Sequence, residues 1–392
     1  GDIMNKLQIK YNLLHIFYWV ATCCIYGYVA VFLKYKGLTN TEIGLVTGGG
    51  CIVTIFSSPF VSSLVGKVKG LTIKKLVNSI FLVLSAIFLI ISLFDIPVIL
   101  IMIAYVLLIA LIVSTVPLLS TIAMDYIKEG KEINFGLARG LGSVSYAVSA
   151  VVLGQLVEKL NPTVLAYGFV LSAVLDLVIL NSLPAIHEVK QEQEEKGSNF
   201  FSIVKKYKTF FFILLGFACM FAASTSLSTY LINIVNKLGG NTSLYGIAIF
   251  FMAASEMPVM ALTPRLLRRF DSLTLIVVAA IFYIFRNFTI CLAPSLPILF
   301  IGMLFQGASY GLLTAVITYY VTYTLESQDH MMGQTMISVM TSGVGSMIGN
   351  LLGGVLQDNI GIQAMFIFAC VMTVTGCLII IFTKLISSKK VS

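Results

Sequence analysis

The sequence predicts an all-α polytopic membrane protein, with twelve transmembrane helices in two six-helix pseudo-symmetric halves. Three observations predict it. Hydrophobic residues make up 58% of the 392 and charged residues only 11%, with a mean hydropathy of +0.98, so there is too little polar surface to cover a soluble globule. Apolar runs of about 20 residues, enough to cross the hydrocarbon core, recur along the whole chain. The order of turns, prolines and basic loops in the first half is repeated in the second.

The spans are expected near 12–33, 43–65, 76–94, 97–124, 137–157, 163–183, 208–235, 243–263, 272–292, 297–323, 333–356 and 361–386. Breakers separate most of them: the KGLTN turn at 36–40, Asp95 to Pro97, Asn161-Pro162, Gly239-Gly240-Asn241 and Pro294 to Pro297. The repeat shows where KGLTNTEIG (36–44) is echoed by LGGNTSLYG (238–246), and SSPFVSSL (57–64) by EMPVMALT (256–263). An N-terminal bundle over 1–183, a cytoplasmic linker over 184–207 and a C-terminal bundle over 208–392 follow. The linker's HEVKQEQEEKGSN run is mixed in charge and reads as solvated, with room for a short surface helix.

The net charge of +8 does not point to nucleic acid, because the cations sit in short loops on one side of the spans. Of the 25 lysines and arginines, only Lys34, Lys36, Lys159 and Lys237 fall on the other side, while Arg139 and Arg286 lie within spans. The positive-inside rule then puts both termini in the cytoplasm. No cleavable leader is expected before the first span. The seven cysteines fall within apolar segments and read as small buried hydrophobes. His15, His187 and His330 have no spacing suited to a metal, and no metal is expected.

Polar side chains concentrate on the first, fourth, seventh and tenth spans. The first carries Tyr18, Trp19, Tyr26 and Tyr28, the fourth Tyr105, Ser114 and Thr115. The seventh carries a run from Ser224 to Asn233, and the tenth Gln306, Tyr310, Thr314 and Thr318 at i+4 steps. One polar stripe per helix, at corresponding places in both halves, suits a water-filled path. The same groups also serve as interhelical contacts, and tyrosines as interfacial belts.

Ionisable groups within the spans are few, and each costs about 2.5–3.5 kcal/mol on insertion scales unless partnered or in a wet cavity. Arg139 enters the fifth span in the stretch INFGLARGLGSVSYAVSA (133–150), with Ser143 and Tyr146 at i+4 and i+7 on the same face. Gly136, Gly140, Gly142 and Ser145 give the opposite register room for a close neighbour. Glu256 stands just before Pro258 in the eighth span, Arg286 past the middle of the ninth, Asp125 at the cytoplasmic end of the fourth and Asp176 in the sixth. An arginine and a carboxylate on different spans form either a gating element or a permanent pair that fixes packing. For Asp176 a structural role is expected.

With these residues in view, the chain resembles the major facilitator superfamily over essentially its whole length. FGLARGLGSVSYA, ASEMPVMALTPRLLRRF (254–270) and GQTMISVMTSGVGSMIGNLLGGVLQDNIG (333–361) are similar to the oligosaccharide and nucleoside proton symporter branch, which includes lactose permease. The resemblance implies that Arg139 binds substrate hydroxyls and Tyr146 stacks on the substrate ring. Glu256 stands at a substrate-contacting position, and Arg286 at the arginine of proton coupling. The chain departs from that branch at Gln306, in place of the tenth-span carboxylate, and at Met303, in place of its histidine. Ser224 and Phe221 stand where aspartates are expected on span seven, and Thr121 where the fourth-span glutamate is expected, one turn before Asp125. The loop GKVKGLTIKK lacks the superfamily's usual aspartate. Glu256 is then the deep carboxylate left in the second half to take the proton.

The function expected is secondary active transport, a proton-coupled symport of a neutral polyhydroxylated solute, a sugar or nucleoside, by alternating access. Substrate binding is expected at Arg139, Tyr146, Ser143, Glu256, Asn233, Gln306 and Tyr310, and proton coupling at Glu256, Arg286 and Asp125. No cofactor is expected, the proton gradient being the energy source. The partners are a small solute, protons and the bilayer of the cell membrane, and the chain is expected to be a monomer. An exporter of amphipathic compounds, a drug/proton antiporter, is the alternative, suited to the many methionines and phenylalanines. A receptor, channel or membrane enzyme is remote, because the sequence has no paired-histidine motif, nucleophile elbow or phosphate loop.

Overall fold

The computed structural model describes residues 2–185, 199–326 and 329–390, and among these every regular element is helical. His187 and most of the HEVKQEQEEKGSN run lie outside the described residues. Among the described residues eleven helices are long and apolar enough to cross a membrane: Asn40–Val65, Ile73–Leu93, Val98–Ile127, Leu137–Lys159, Val164–Ser182, Lys208–Thr229, Thr242–Arg269, Ser272–Leu292, Leu296–Thr324, Met332–Asn359 and Ile362–Lys389. They are spans 2 to 12. Span 1 is a bent pair, Asn5–Gly27 with Val29–Tyr35, meeting at 49°. The twelve expected segments thus all correspond to helices, and the first is broken in a way its continuous apolar run did not announce.

The chain divides into two compact units. One comprises Gly1–Leu38, Gly49–Glu192 and Thr242–Phe250; the other comprises Thr39–Gly48, Gln193–Asn241 and Phe251–Ser392. The boundary differs from a cut at the linker in one respect. The first turns of span 2 group with the second unit, and the first turns of span 8 with the first.

Why they do so is visible in each unit. Span 1 passes through a π-helical turn, Cys23–Gly27, and breaks at Tyr28. Such a turn frees carbonyls from the i→i−4 ladder, and in an apolar setting they need donors. Tyr105 Oη donates to the Ile25 carbonyl at 2.5 Å, and Tyr245 Oη, from the start of span 8, donates to that of Gly27 at 2.6 Å. Tyr28 Oη in turn donates to the Ala150 carbonyl of span 5. Residue 246 is a glycine at this crossing, where a Cβ would stand 2.8 Å from the Tyr28 hydroxyl. The second unit repeats the design. Span 7 ends at Thr229, turns at Tyr230 and resumes as Leu231–Lys237. Tyr230 Oη donates to the Asn350 carbonyl of span 11 at 2.8 Å, and Gly44 of span 2 takes the place of Gly246, its Cβ position 2.8 Å from that hydroxyl.

The units differ in what fills them. In the first, Phe81, Phe88, Phe32, Tyr105 and Phe169 form a wall of rings across spans 1, 3, 4 and 6, with Phe32 and Phe88 edge-to-face at 5.2 Å and Phe88 and Phe169 5.9 Å apart. In the second, Phe210 stacks on Tyr320 at 6.1 Å within a mainly aliphatic core drawn from spans 7, 9, 10, 11 and 12.

Before span 7 a seven-residue helix, Phe200–Lys206, is capped by Asn199, whose side chain accepts from Ser202 N at 2.8 Å. Lys206 bridges Glu326 at 2.7 Å and the fully buried Asp329 at 3.0 Å, and Tyr207 Oη donates to the same Asp329 oxygen at 2.7 Å. Hydrogen bonds to the two carboxylates hold the Lys206 ammonium above its ordinary range. Partial burial, chiefly, raises the Tyr207 phenol.

Candidate functional site

Each unit has a cluster of polar groups inside its spans, centred in each case on an arginine. In the first unit the start of span 5 is set by Asn134, which caps it by accepting from Leu137 N at 3.0 Å. Gln8 of span 1 locks that cap, accepting from Asn134 N at 2.7 Å and donating to its carbonyl at 3.2 Å. One turn on, the half-buried Arg139 donates from Nη1 to Ser143 Oγ at 2.9 Å. Its guanidinium carbon lies 4.1 Å from the centroid of the Trp19 ring, a cation–π contact. Tyr18 and Tyr146 meet the same indole edge-on, at 5.1 and 6.4 Å. Ser145 Oγ reaches the Ile16 carbonyl at 3.1 Å and ties span 5 to span 1.

The three residues taken from INFGLARGLGSVSYAVSA thus share a face, as their spacing requires. Tyr146 points its hydroxyl toward span 1: a Cβ at Gly27 would lie 2.9 Å from it. Asp125 is buried at the end of span 4 nearer the linker. Asp176 is 1% exposed, and neither carboxylate oxygen has a hydrogen-bond partner.

In the second unit Arg286 is fully buried. Nη1 donates to Asn287 Oδ1 at 2.7 Å, Nη2 to Ser228 Oγ at 2.9 Å, and Nε has no partner. Asn287 passes the network on, donating to Thr373 Oγ1 of span 12 at 2.7 Å and accepting from Ser224 at 3.4 Å. Glu256 accepts instead from Gln306 Nε2 at 3.2 Å. Each of the two charged groups is thus held by a neutral amide, Arg286 by Asn287 and Glu256 by Gln306. The position of Gln306 has a local cause. Span 10 takes a π-helical turn, Gly307–Gly311, immediately after it, and Gly307 N donates to Ser255 Oγ at 3.0 Å, which holds span 10 against span 8 beside Pro258. Tyr310, in the same turn, packs against Phe221 at 5.7 Å.

Asn233 sits elsewhere. Beyond the break at Tyr230 its amide donates to Asn40 Oδ1 at 2.9 Å and to Gln357 Oε1 at 2.8 Å. Asn40 in turn donates to Asp358 at 3.1 Å, so Asn233 belongs to a clasp at the end of span 7 and not to the group around Arg286. Trp19 and Ser228 were legible only as members of polar stripes, and Asn287 and Thr373 were given no role. The adjacency of Asn287 to Arg286 was the available signal for one, and the chain's single tryptophan for another. Among the described residues no group of three or more His, Cys, Asp or Glu side chains could hold a metal.

The fold and these clusters define a polytopic membrane transporter built on a duplicated six-helix unit. The model of the MFS_1 like family matches residues 8–368, and the chain belongs to that family of the major facilitator superfamily. It is 25% identical over 383 residues to the uncharacterized transporter YwbF of Bacillus subtilis (strain 168), covering 95% of this chain and 94% of that one. It is 24% identical over 276 residues to the maltose permease of Geobacillus stearothermophilus, covering 69% and 68%. Among solved structures it is similar to a point mutant of the nucleoside transporter NupG, with a TM-score of 0.80 at 15% identity over 96% of this chain and 99% of that one. A bacterial homologue of the lysosomal transporter Spinster superposes with a TM-score of 0.68 at 14% identity, covering 98% and 96%. At these identities the structural matches establish the fold.

Proposed function

We propose that the protein imports a neutral polyhydroxylated solute, a sugar or nucleoside, in symport with protons by alternating access. The observation that carries this reading is the half-buried Arg139, held over an indole and hydrogen-bonded to a neutral hydroxyl. A guanidinium so held offers fork-like donors that suit vicinal hydroxyls. Names of relatives point the same way, one a maltose permease and one a nucleoside transporter. Ser143 and Tyr146 complete the recognition face in the first unit, and Gln306 and Tyr310 the polar lining in the second.

The coupling proton is assigned to Glu256. It accepts from an amide that remains a donor whatever the carboxyl's state, so the carboxyl can lose and regain a proton without breaking up its surroundings. Arg286, held by Asn287 and Ser228, supplies the fixed positive field for the carboxylate form, and Asp125 serves the first half. The protein would work as a monomer in the cytoplasmic membrane with both termini inside, driven by the proton gradient alone. Uptake into proteoliposomes tests this. The expected result is accumulation of maltose or uridine under an inward proton gradient, abolished in Glu256→Gln. Uptake indifferent to the gradient removes symport, and stabilisation by lipophilic cations but by neither solute turns the reading to an amphipath exporter.

A further inference from the structure

Two of the seven cysteines meet across a helix seam in the second unit. Cys291 is the penultimate residue of span 9, and Cys370 lies just over two turns into span 12. Their thiols are joined by a side-chain hydrogen bond. Cys291 Sγ also reaches the Phe366 carbonyl at 3.8 Å. That carbonyl stands one turn before Cys370 on the same helix, so the backbone contact independently brings Cys291 alongside Cys370.

The spacing on both helices explains why they meet. Cys291 follows Asn287 by four residues and Cys370 precedes Thr373 by three, so the thiol pair is the next rung of the seam that the Asn287–Thr373 hydrogen bond closes. Cys23, Cys24 and Cys377 are buried, as small apolar fillers should be, but Cys291 and Cys370 are only half-buried. Leu292, next to Cys291, is 74% exposed, and Lys237 Nζ lies 5.0 Å over the Phe366 ring, which marks the membrane surface. Arg286 is within electrostatic reach of Cys291, so a thiolate formed there has a counter-charge. In the orientation proposed above span 9 ends on the outer side, where thiols meet oxidants.

We infer that Cys291 and Cys370 form a redox-active dithiol, oxidised by a small-molecule disulfide to a bond that staples span 9 to span 12. One cysteine thiolate attacks a sulfur of the small disulfide, whose other half leaves as a thiolate and takes up a proton. The second cysteine, deprotonated, attacks the resulting mixed disulfide and expels the remaining half, which is protonated in turn. Two cysteine thiols are oxidised, one small disulfide is reduced to two thiols, and two protons pass to the leaving groups. Sulfurs already in hydrogen-bonding contact reach a bond of about 2.05 Å by small side-chain rotations. The bond fixes the seam through which Asn287 holds Arg286. Its effect on proton coupling rests on the transport reading above, whereas the bond itself does not.

The test exposes the purified full chain to oxidised glutathione and counts free thiols after denaturation. Two of the seven thiols are expected to be lost, peptide mapping should join Cys291 to Cys370, and dithiothreitol should restore both. Cys370→Ser is expected to form no internal bond and to trap glutathione on Cys291, and Cys291→Ser to give the mirror result. Oxidation should raise the melting temperature of wild type and of neither variant. Gel filtration checks that the variants remain folded. A full complement of thiols after oxidation, a bond between other cysteines, or an internal bond in Cys370→Ser overturns the inference. In proteoliposomes the oxidised wild type should accumulate solute about threefold more slowly than the reduced, with Cys370→Ser equal under both conditions. An unchanged rate despite a formed bond overturns the link to coupling. If reduced wild type accumulates neither maltose nor uridine, the transport reading falls, and the thiol count still decides the dithiol.

Discussion

The two units place an arginine in comparable apolar surroundings and hold it in opposite ways. Arg139 is half-buried, lies over an indole and bonds to a hydroxyl, whereas Arg286 is fully buried and gripped by an amide and a hydroxyl, the amide itself tied to span 12. The same contrast runs through the walls behind them. Where spans 3 and 6 of the first unit meet through Phe88 and Phe169, spans 9 and 12 of the second meet through a hydrogen bond from Asn287 to Thr373. A charge resting on a ring can turn toward a ligand at little cost, while a charge inside a bonded network cannot move without leaving donors and acceptors unpaired. In the reading proposed above, that difference in polarity assigns recognition to one half and coupling to the other.

The sharpest way to break this contrast is at Arg286. Arg286→Met is expected to abolish gradient-driven uptake, at least a hundredfold, and Arg286→Lys to restore little, because a single ammonium cannot reproduce the two directed bonds to Asn287 and Ser228. Asn287→Ala leaves the guanidinium without its Nη1 acceptor, and should cost about 2–3 kcal/mol of stability, read as a lowered melting temperature. Next in size, Glu256→Gln should lose accumulation under a proton gradient and keep solute counterflow; a variant that accumulates normally would remove Glu256 from coupling.

At Arg139 a milder and different result is expected. Arg139→Lys should raise the uptake KM about tenfold and leave the melting temperature nearly unchanged, since the half-buried guanidinium rests on a ring face and not inside a bonded network. A large fall in stability there would erase the distinction between the two arginines. The smallest effect belongs to Lys206. Its raised folded value means that the stability it adds is fully present below the ordinary lysine range and is lost only as pH rises through the folded value. Melting profiles of wild type and Lys206→Ala should therefore stay parallel through the neutral range, and converge only in strongly alkaline buffer.

Much of this architecture was legible because bilayer thickness imposes a fixed ruler on hydropathy, and Arg139, Ser143 and Tyr146 were grouped by helical spacing alone. Other features depended on departures from regular helix that leave no compositional mark. The π-helical turn at Cys23–Gly27 lies in an unbroken apolar run without proline. Asn233 reads as the last member of a polar stripe, but the break at Tyr230 carries it away to Asn40 and Gln357. The partner of Glu256 was obscured for a similar reason, since Gln306 is presented by a π-helical turn that follows it. Trp19 stood among tyrosines, and its unpaired N–H is a property of its neighbours, which only packing reveals.

The borrowed first turns of span 8 bear on how the chain is made. Until residues Thr242–Phe250 have been synthesised, the first unit lacks the Tyr245 hydroxyl that satisfies the Gly27 carbonyl, and the Thr242 N–H that donates to Glu158 at 3.0 Å. Spans 1 to 6 taken alone therefore leave an open polar seam at the bend of span 1, and the first unit is complete only with a segment that lies beyond the linker in sequence.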